Sequence, residues 1–382
     1  MHFLQNWNLG EVDWLHIPVS VWLLILLALT FDFLNGLHDA ANSVATVVST
    51  RVLSPRAAVI WAAFFNFVAF LVFPLKVATT IQSDVVDPAV VQPIVQPFIA
   101  STLVAACSWN LLTWYWGLPT SSSHALIGGM VGAALAATGG DWHALRAGGL
   151  GYIIMFIALA PVIGWLLGTL MALLVTWLLR NATPRWVDMF FRRGQLVSAA
   201  FFSLGHGGND AQKTMGIIFV LLLGAGLLRP PDDPSPAAPE TAAQAAQAGP
   251  GQPEARKPPV PKVPTEVVLA CHLAMAMGTM FGGWRIVKTM GQRIIKLRPV
   301  DGFCAETAAA LTLAATTSIK GIPISTTHTI TGAIIGVGSL KRFGAVRWGV
   351  AGRVLWAWIL TIPGAALMAA LVWFLVRLIT NQ

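Results

Sequence analysis

Residues Gly117–Gly129 read GLPTSSSHALIGG, and residues Gly321–Gly332 read GIPISTTHTITG. Proline, a cluster of hydroxyls, a histidine and glycines recur in the same order, each time between long apolar runs. A second pair of segments repeats upstream. Phe31–Asn42 (FDFLNGLHDAAN) matches Phe202–Lys213 (FSLGHGGNDAQK) when Asp39 is set on Asp210, which places Gly36 on Gly207, His38 on Asn209, Asp32 on Ser203 and Asn42 on Lys213. Two motifs duplicated in the same order mark two homologous halves.

The chain around these motifs is 56% hydrophobic and 10% charged, with a mean hydropathy of +0.70 over 382 residues. Such a composition leaves too little polar surface for a water-soluble globule and implies several apolar membrane spans. The expected fold class is all-α: a polytopic membrane protein of two inverted-topology repeats with broken or re-entrant helices. Residues 1–180 form the first repeat, 181–194 a basic cytoplasmic linker and 195–382 the second repeat. The Pro-, Ala- and Gln-rich stretch 230–264 interrupts the second repeat as a flexible extracytoplasmic loop.

Five crossings per half are expected, near 17–38, 57–75, 98–116, 119–138 and 149–179, then 196–226, 265–284, 303–318, 322–339 and 350–376. With the amino terminus outside, Arg51, Arg56, Arg180, Arg185, Arg192, Arg193, Arg285, Lys288, Arg293, Lys296, Arg298, Lys341, Arg342 and Arg347 fall inside, as the positive-inside rule requires. An odd number of crossings inverts the second repeat against the first. Secondary transporters built this way hold their substrate at the repeat interface near the mid-membrane. The net charge of +8 sits in these short loops, so it reports orientation and implies no nucleic-acid partner. Cys107, Cys271 and Cys304 lie in apolar segments without metal-ligand spacing and read as buried packing residues.

Ionisable groups within spans cost a few kcal/mol each and ask for a reason. Asp32, Asn35, His38, Asp39 and Asn42 crowd one segment; His206, Asn209, Asp210, Gln212 and Lys213 crowd its copy. Gly36, Gly205, Gly207 and Gly208 beside the acids suggest helices broken there, with carbonyls turned inward. Carboxylate and carboxamide oxygens suit a hard cation, sodium, or a proton carried on an aspartate. Asp39, Asn42, Asn209 and Asp210 are therefore the expected cation ligands. Pro119 and Pro323 fit helix starts. Thr120, Ser121, Ser122 and Ser123, with Ser325, Thr326 and Thr327, then line two first turns whose amides and hydroxyls suit an oxyanion. His124 and His328 read as hydroxyl-orienting, proton-sensing or packing residues, and Lys213 as a partner of Asp210, a partner of an anion, or a snorkelling side chain. Glu306 is a candidate for a cation path; Asn66, Asn110 and Lys320 are weaker ones. The tryptophans are assigned packing and interfacial roles.

At these motifs the chain resembles the inorganic phosphate transporter (PiT) family, which carries a GxNDxxN-like signature once per half. Here the copies read GLHDAAN, with His38 in place of Asn, and GGNDAQK, with Lys213 in place of the final Asn. The PTSSSH and PISTTH segments resemble that family's paired hairpin motifs. The resemblance covers nearly the whole chain except 230–264. It implies uptake of inorganic phosphate, free or as a neutral metal-phosphate complex, by symport with sodium or protons in the cell inner membrane. It implies no cofactor and no catalysis, lipid as the surrounding partner, and is compatible with a homodimer. Sulfate permeation on the same fold, a passive anion channel, and an intramembrane hydrolase using a Ser, His124 and Asp39 are the alternatives. The duplicated, inverted set argues against the last, since catalysis needs one asymmetric nucleophile and base.

Overall fold

The computed structural model describes residues 12, 14–73, 75, 85–228, 263–320 and 324–380, without the side chains of 317–320 and 380. Most of the stretch 230–264, together with Gly321 and Pro323, lies outside the described residues. Eleven α-helices of five or more residues organise what is described: α1 Val19–Ser49, α2 Pro55–Val68, α3 Val95–Trp116, α4 Ser122–Ala137, α5 Ala147–Leu178, α6 Pro184–Gly224, α7 Thr265–Phe281, α8 Trp284–Lys288, α9 Pro299–Lys320, α10 Thr326–Lys341 and α11 Trp348–Thr380.

Local chemistry sets the helix ends. Ser54 accepts from the Ala57 amide and Pro55 occupies the first turn of α2, where a missing N–H costs nothing. Gly117, at φ +66°, ends α3 in the left-handed conformation that glycine adopts without a Cβ penalty. α6 starts at Pro184, so the expected basic linker is largely helical and the connection between the halves shortens to 179–183.

By length and composition, α1, the stretch Pro88–Trp116, α5 and α11 can each cross a membrane, and α7 with Trp284–Arg293 forms a fifth such segment bent by 59°. α4 and α10 have 16 residues each, about 24 Å at 1.5 Å per residue. That falls short of the roughly 30 Å hydrocarbon core. The α3–α4 turn is also buried at Gly117, Pro119, Thr120 and Ser121, so α4 turns back inside the protein. Of the ten expected crossings, 119–138 and 322–339 therefore correspond to the short arms α4 and α10, packed on α3 and α9, and those expected at 57–75, 196–226 and 303–318 are also not among the segments that pass by length and composition.

The halves interlock reciprocally. α1 packs on α7 as α6 packs on α2; α5 packs on α10 as α11 packs on α4; α1 lies on α3 as α6 lies on α9. α1 and α6 cross each other at the centre of this arrangement, which is consistent with inverted repeats about a pseudo-two-fold axis. The apolar interior divides into two clusters, and both central helices feed both. Val21–Phe31 of α1 and Ala211–Leu222 of α6 enter one; Ala41–Val47 and Ala199–Phe202 enter the other. The polar residues of the two motifs occupy the band between.

The glycines in that band do not break the helices. α1 runs unbroken through Gly36 and α6 through Gly205–Gly208. A Cβ on Gly36 would lie 2.1 Å from Met275 O on α7, and its counterpart on Gly207 would lie 2.4 Å from Asn66 O on α2. These glycines let backbones approach, as small residues do between membrane helices, so the site is furnished by side chains on intact helices. Gly36→Val is expected to lower the thermal stability of the purified protein by about 1–3 kcal/mol, the usual range for overpacking. Gly148→Ala, where an added Cβ meets nothing within 4 Å, is the control; equal melting of the two variants would contradict the close-approach role.

Candidate functional site

Asp39 and Asp210 face each other where α1 crosses α6. Ligand atoms of Asp39, Asp210 and His206 all lie within 4.8 Å of one another, and all three residues are buried. Each aspartate is held by the residue before it. His38 Nδ1 sits 2.8 Å from Asp39 Oδ1, and Asn209 Nδ2 donates to Asp210 Oδ1 at 2.8 Å. The same two residues reach the hairpin tips, His38 Nε2 lying 3.4 Å from Thr120 Oγ1 and Asn209 Nδ2 donating to Ile324 O at 3.0 Å. Asp210 also accepts from Thr326 Oγ1 at 3.2 Å and lies 3.2 Å from His206 Nε2. The unlike His38 and Asn209 thus do matching work in the two copies.

The tips of α4 and α10 meet beside the carboxylates. The His124 and His328 rings are 4.7 Å apart, edge to face, and both are buried. Ser121 and Ser325 act as N-caps, accepting from the amides of His124 and His328. The first intrahelical bonds are Ala125 N to Ser121 O and Thr329 N to Ser325 O. The amides of Ser122, Ser123, Thr326 and Thr327 precede them, and a first helical turn leaves such N–H groups without intrahelical acceptors. Asn42 Nδ2 donates to Thr327 Oγ1 at 2.9 Å, and Lys213 Nζ donates to Ser123 Oγ at 2.5 Å. Ser122 Oγ, His124 Nδ1 and Asn209 Oδ1 are buried with no hydrogen-bond partner among the described residues. Thr120 turns to Thr113, donating at 3.0 Å. Hydroxyls, first-turn amides and the Asp39, Asp210 and His206 cluster thus converge on one place, and every described arginine is exposed.

A model of the phosphate transporter family matches residues 35–369. The chain belongs to that family. A relative from Rhizobium meliloti (strain 1021), described as a probable low-affinity inorganic phosphate transporter, is 52% identical over 93% of this chain and 96% of its own length. One from Bacillus subtilis (strain 168), described in the same words, is 41% identical over 94% and 97%. A solved structure described as the sodium-dependent phosphate transporter shares the fold, with a TM-score of 0.78 and 22% identity over 95% of this chain and 100% of that one. The chain is a multi-pass membrane transporter of phosphate, not an enzyme.

In this phosphate transporter three residues take roles that sequence reasoning left open or missed. Lys213 is 1% exposed and ion-pairs with Asp210, so it does not snorkel. His206, grouped by sequence with its polar neighbours but given no role, joins the aspartates; its Nδ1 lies 3.3 Å from Asn66 Oδ1 on α2. Trp358, taken for packing alone, stacks on His328 with ring centroids 3.9 Å apart and donates to Pro119 O at 2.8 Å. It clamps one tip to the other. Gln212 donates to Gly208 O at 2.6 Å, while Asp32 is buried two helical turns along α1 from Asp39.

Glu306 on α9 accepts from Thr46 Oγ1, from Ser198 Oγ at 2.5 Å and from Gln195 Nε2 at 3.2 Å. It lies beyond Asn42 along the stripe 32, 35, 39, 42, 46 of α1, a helical spacing that puts all five residues on one face. Glu306→Ala strands three buried donors, each at a cost of about 1–3 kcal/mol, whereas Glu306→Gln keeps an acceptor. The alanine variant is expected to melt well below the glutamine variant in detergent; coincident melting curves would show that the carboxyl does not organise these donors.

Proposed function

We propose that this chain takes up inorganic phosphate by cation-coupled symport across a bacterial inner membrane, its halves rocking about the α1–α6 crossing to open the central site alternately to either side. The observation that carries the reading is the meeting of the duplicated hydroxyl tips beside the Asp39, Asp210 and His206 cluster. An oxyanion seated on the tips receives donors from Ser122, Ser123, Thr326 and Thr327, with Ser121 and Ser325 shaping the turns and Thr120 tying the first tip to α1 and α3. Helix starts offer both N–H groups and the positive end of the macrodipole to such an anion. Neutral donors hold phosphate without the tight bidentate grip of arginine, which suits a carrier that must release its cargo every cycle.

The cation partner binds through Asp39, with Asp210, Asn42 and Asn209 setting its surroundings. A cation beside the anion cancels charge that a low-dielectric interior would otherwise penalise heavily, so each strengthens the binding of the other. Oxygen ligands favour sodium, and the description of the fold neighbour as sodium-dependent supports the same choice; a proton carried by Asp39 is the competing reading.

Uptake of labelled phosphate into proteoliposomes, with sodium and pH gradients imposed separately, tests this directly. Accumulation driven by the sodium gradient alone is expected, and accumulation indifferent to both gradients would point to a passive channel. Sulfate that competes with phosphate at equal concentration would instead favour a sulfate permease. Asp39→Asn and Asp210→Asn are each expected to abolish accumulation while the folded protein remains in the membrane, and normal transport by either would overturn the cation assignment. The double change Ser122→Ala, Thr326→Ala should weaken phosphate binding at least tenfold with a smaller loss of stability, since two charge-assisted hydrogen bonds are worth about 1.5–3 kcal/mol each. Unchanged affinity would move the phosphate elsewhere.

A further inference from the structure

The two halves repeat the same cradle with one difference of charge. Asp39 is equivalent to Asp210, Ser123 to Thr327 and Thr120 to Ile324. Asn42 is equivalent to Lys213. In the first half the amide of Asn42 donates to Thr327 Oγ1 on the α10 tip. In the second half the ammonium of Lys213 contacts the Asp210 carboxylate, the Ser123 hydroxyl on the α4 tip at 2.5 Å and the Ile324 carbonyl at 3.4 Å. A carboxylate, a hydroxyl and a backbone carbonyl are the oxygen types that ligate a hard cation. Lys213 brings its own positive charge to all three on a tether.

We propose that the Lys213 ammonium is a resident cation that occupies the second-half cation position, so this transporter carries one fewer mobile cation per phosphate than a chain with a neutral amide there. The argument rests on the symport reading above and deepens it. Burial makes it an occupancy rather than a passing contact. Lys213 is 1% exposed and Asp210 is 1% exposed, and an uncompensated ammonium in such an interior carries a large desolvation penalty. The ammonium has three donors to place, and the three oxygens supply three acceptors. A sodium ion cannot share that position, because it would meet the same oxygens and a like charge at contact distance. The first half differs in charge: Asn42 makes the matching contact, to Thr327 on the other tip, but is shorter and neutral, which leaves the Asp39 carboxylate with His38, His206 and Asp210 as its near polar neighbours. One position is thus left for a mobile ion and one is filled by the protein itself. The fixed charge also stays with the protein on the return stroke, so it neutralises bound phosphate in each cycle without drawing on the ion gradient.

The test is a count. Equilibrium binding of radioactive sodium to the purified protein, without any anion, is compared between the wild type, Lys213→Asn and Lys213→Arg. The asparagine variant is expected to bind one more sodium per chain than the wild type, and the arginine variant the same number as the wild type. In proteoliposomes or native membrane vesicles, the sodium dependence of phosphate uptake by Lys213→Asn should steepen by about one unit of Hill coefficient, because a second hard-cation site has been opened. An equal sodium count in wild type and Lys213→Asn would overturn the proposal, as would an arginine variant that gains a sodium. Should Lys213→Asn fail to survive purification, Lys213→Gln serves in its place, and the uptake measurement in native vesicles needs no extraction. Absence of phosphate uptake by the wild type under any gradient would sink the transport reading alone, since the sodium count is made without phosphate and still decides this one.

Discussion

Two carboxylates set opposite each other in an apolar interior govern this structure. Asp39 and Asp210 cannot both be stably ionised at the α1–α6 crossing without positive charge or donors around them, because like charges in low dielectric repel strongly. The surrounding polar residues answer that demand. His38 and Asn209 are the immediate neighbours in sequence, His206 sits one helical turn from Asp210, Lys213 ion-pairs with it, and Thr326 reaches it from the α10 tip. The tips are thereby tied to the acids. In the proposed symport, coupling between cation and anion follows from these shared hydrogen bonds and needs no relay through the fold.

The repeat in the sequence carried most of the architecture. The paired PTSSSH and PISTTH segments, together with the two acid motifs, pointed to two halves, a central site and the family, and the structure brings the described residues of these segments together. Three features were illegible for physical reasons. Glycine beside an acid has two meanings, a broken helix or a close approach, and only the carbonyls of Met275 and Asn66 opposite Gly36 and Gly207 decide for the second. Half-length segments and full spans share the same hydropathy, and the burial of Pro119, Thr120 and Ser121 separates them. Trp358 and His206 take their roles from partners far away in the chain, Pro119 and Asn66, and no local pattern announces a contact of that kind.

The clusters also show how a membrane interior accommodates polar chemistry. Within each central helix the polar band is flanked by apolar stretches that enter different clusters. Glu306 extends polar contact from the band towards Thr50 through Gln195, which accepts from the Thr50 hydroxyl at 2.9 Å. Every member of that chain has a partner, as a buried network must to avoid the cost of stranded groups. The sequence register that pairs Ser123 with Thr327 puts Thr102 on α3 in the position of Glu306, so the two sides of the band are chemically unequal.

The cross-packing of α5 on α10 and of α11 on α4 bears on the origin of the chain. Each short arm, α4 or α10, finds a wall in the opposite copy. An ancestral polypeptide of half this length would have had no sealed interior by itself and would have needed a sister molecule inserted the other way up. Fusion of two such genes would then have fixed a pairing that was already obligatory. Within one chain each copy is free to differ, and here one carries a lysine where the other carries an asparagine.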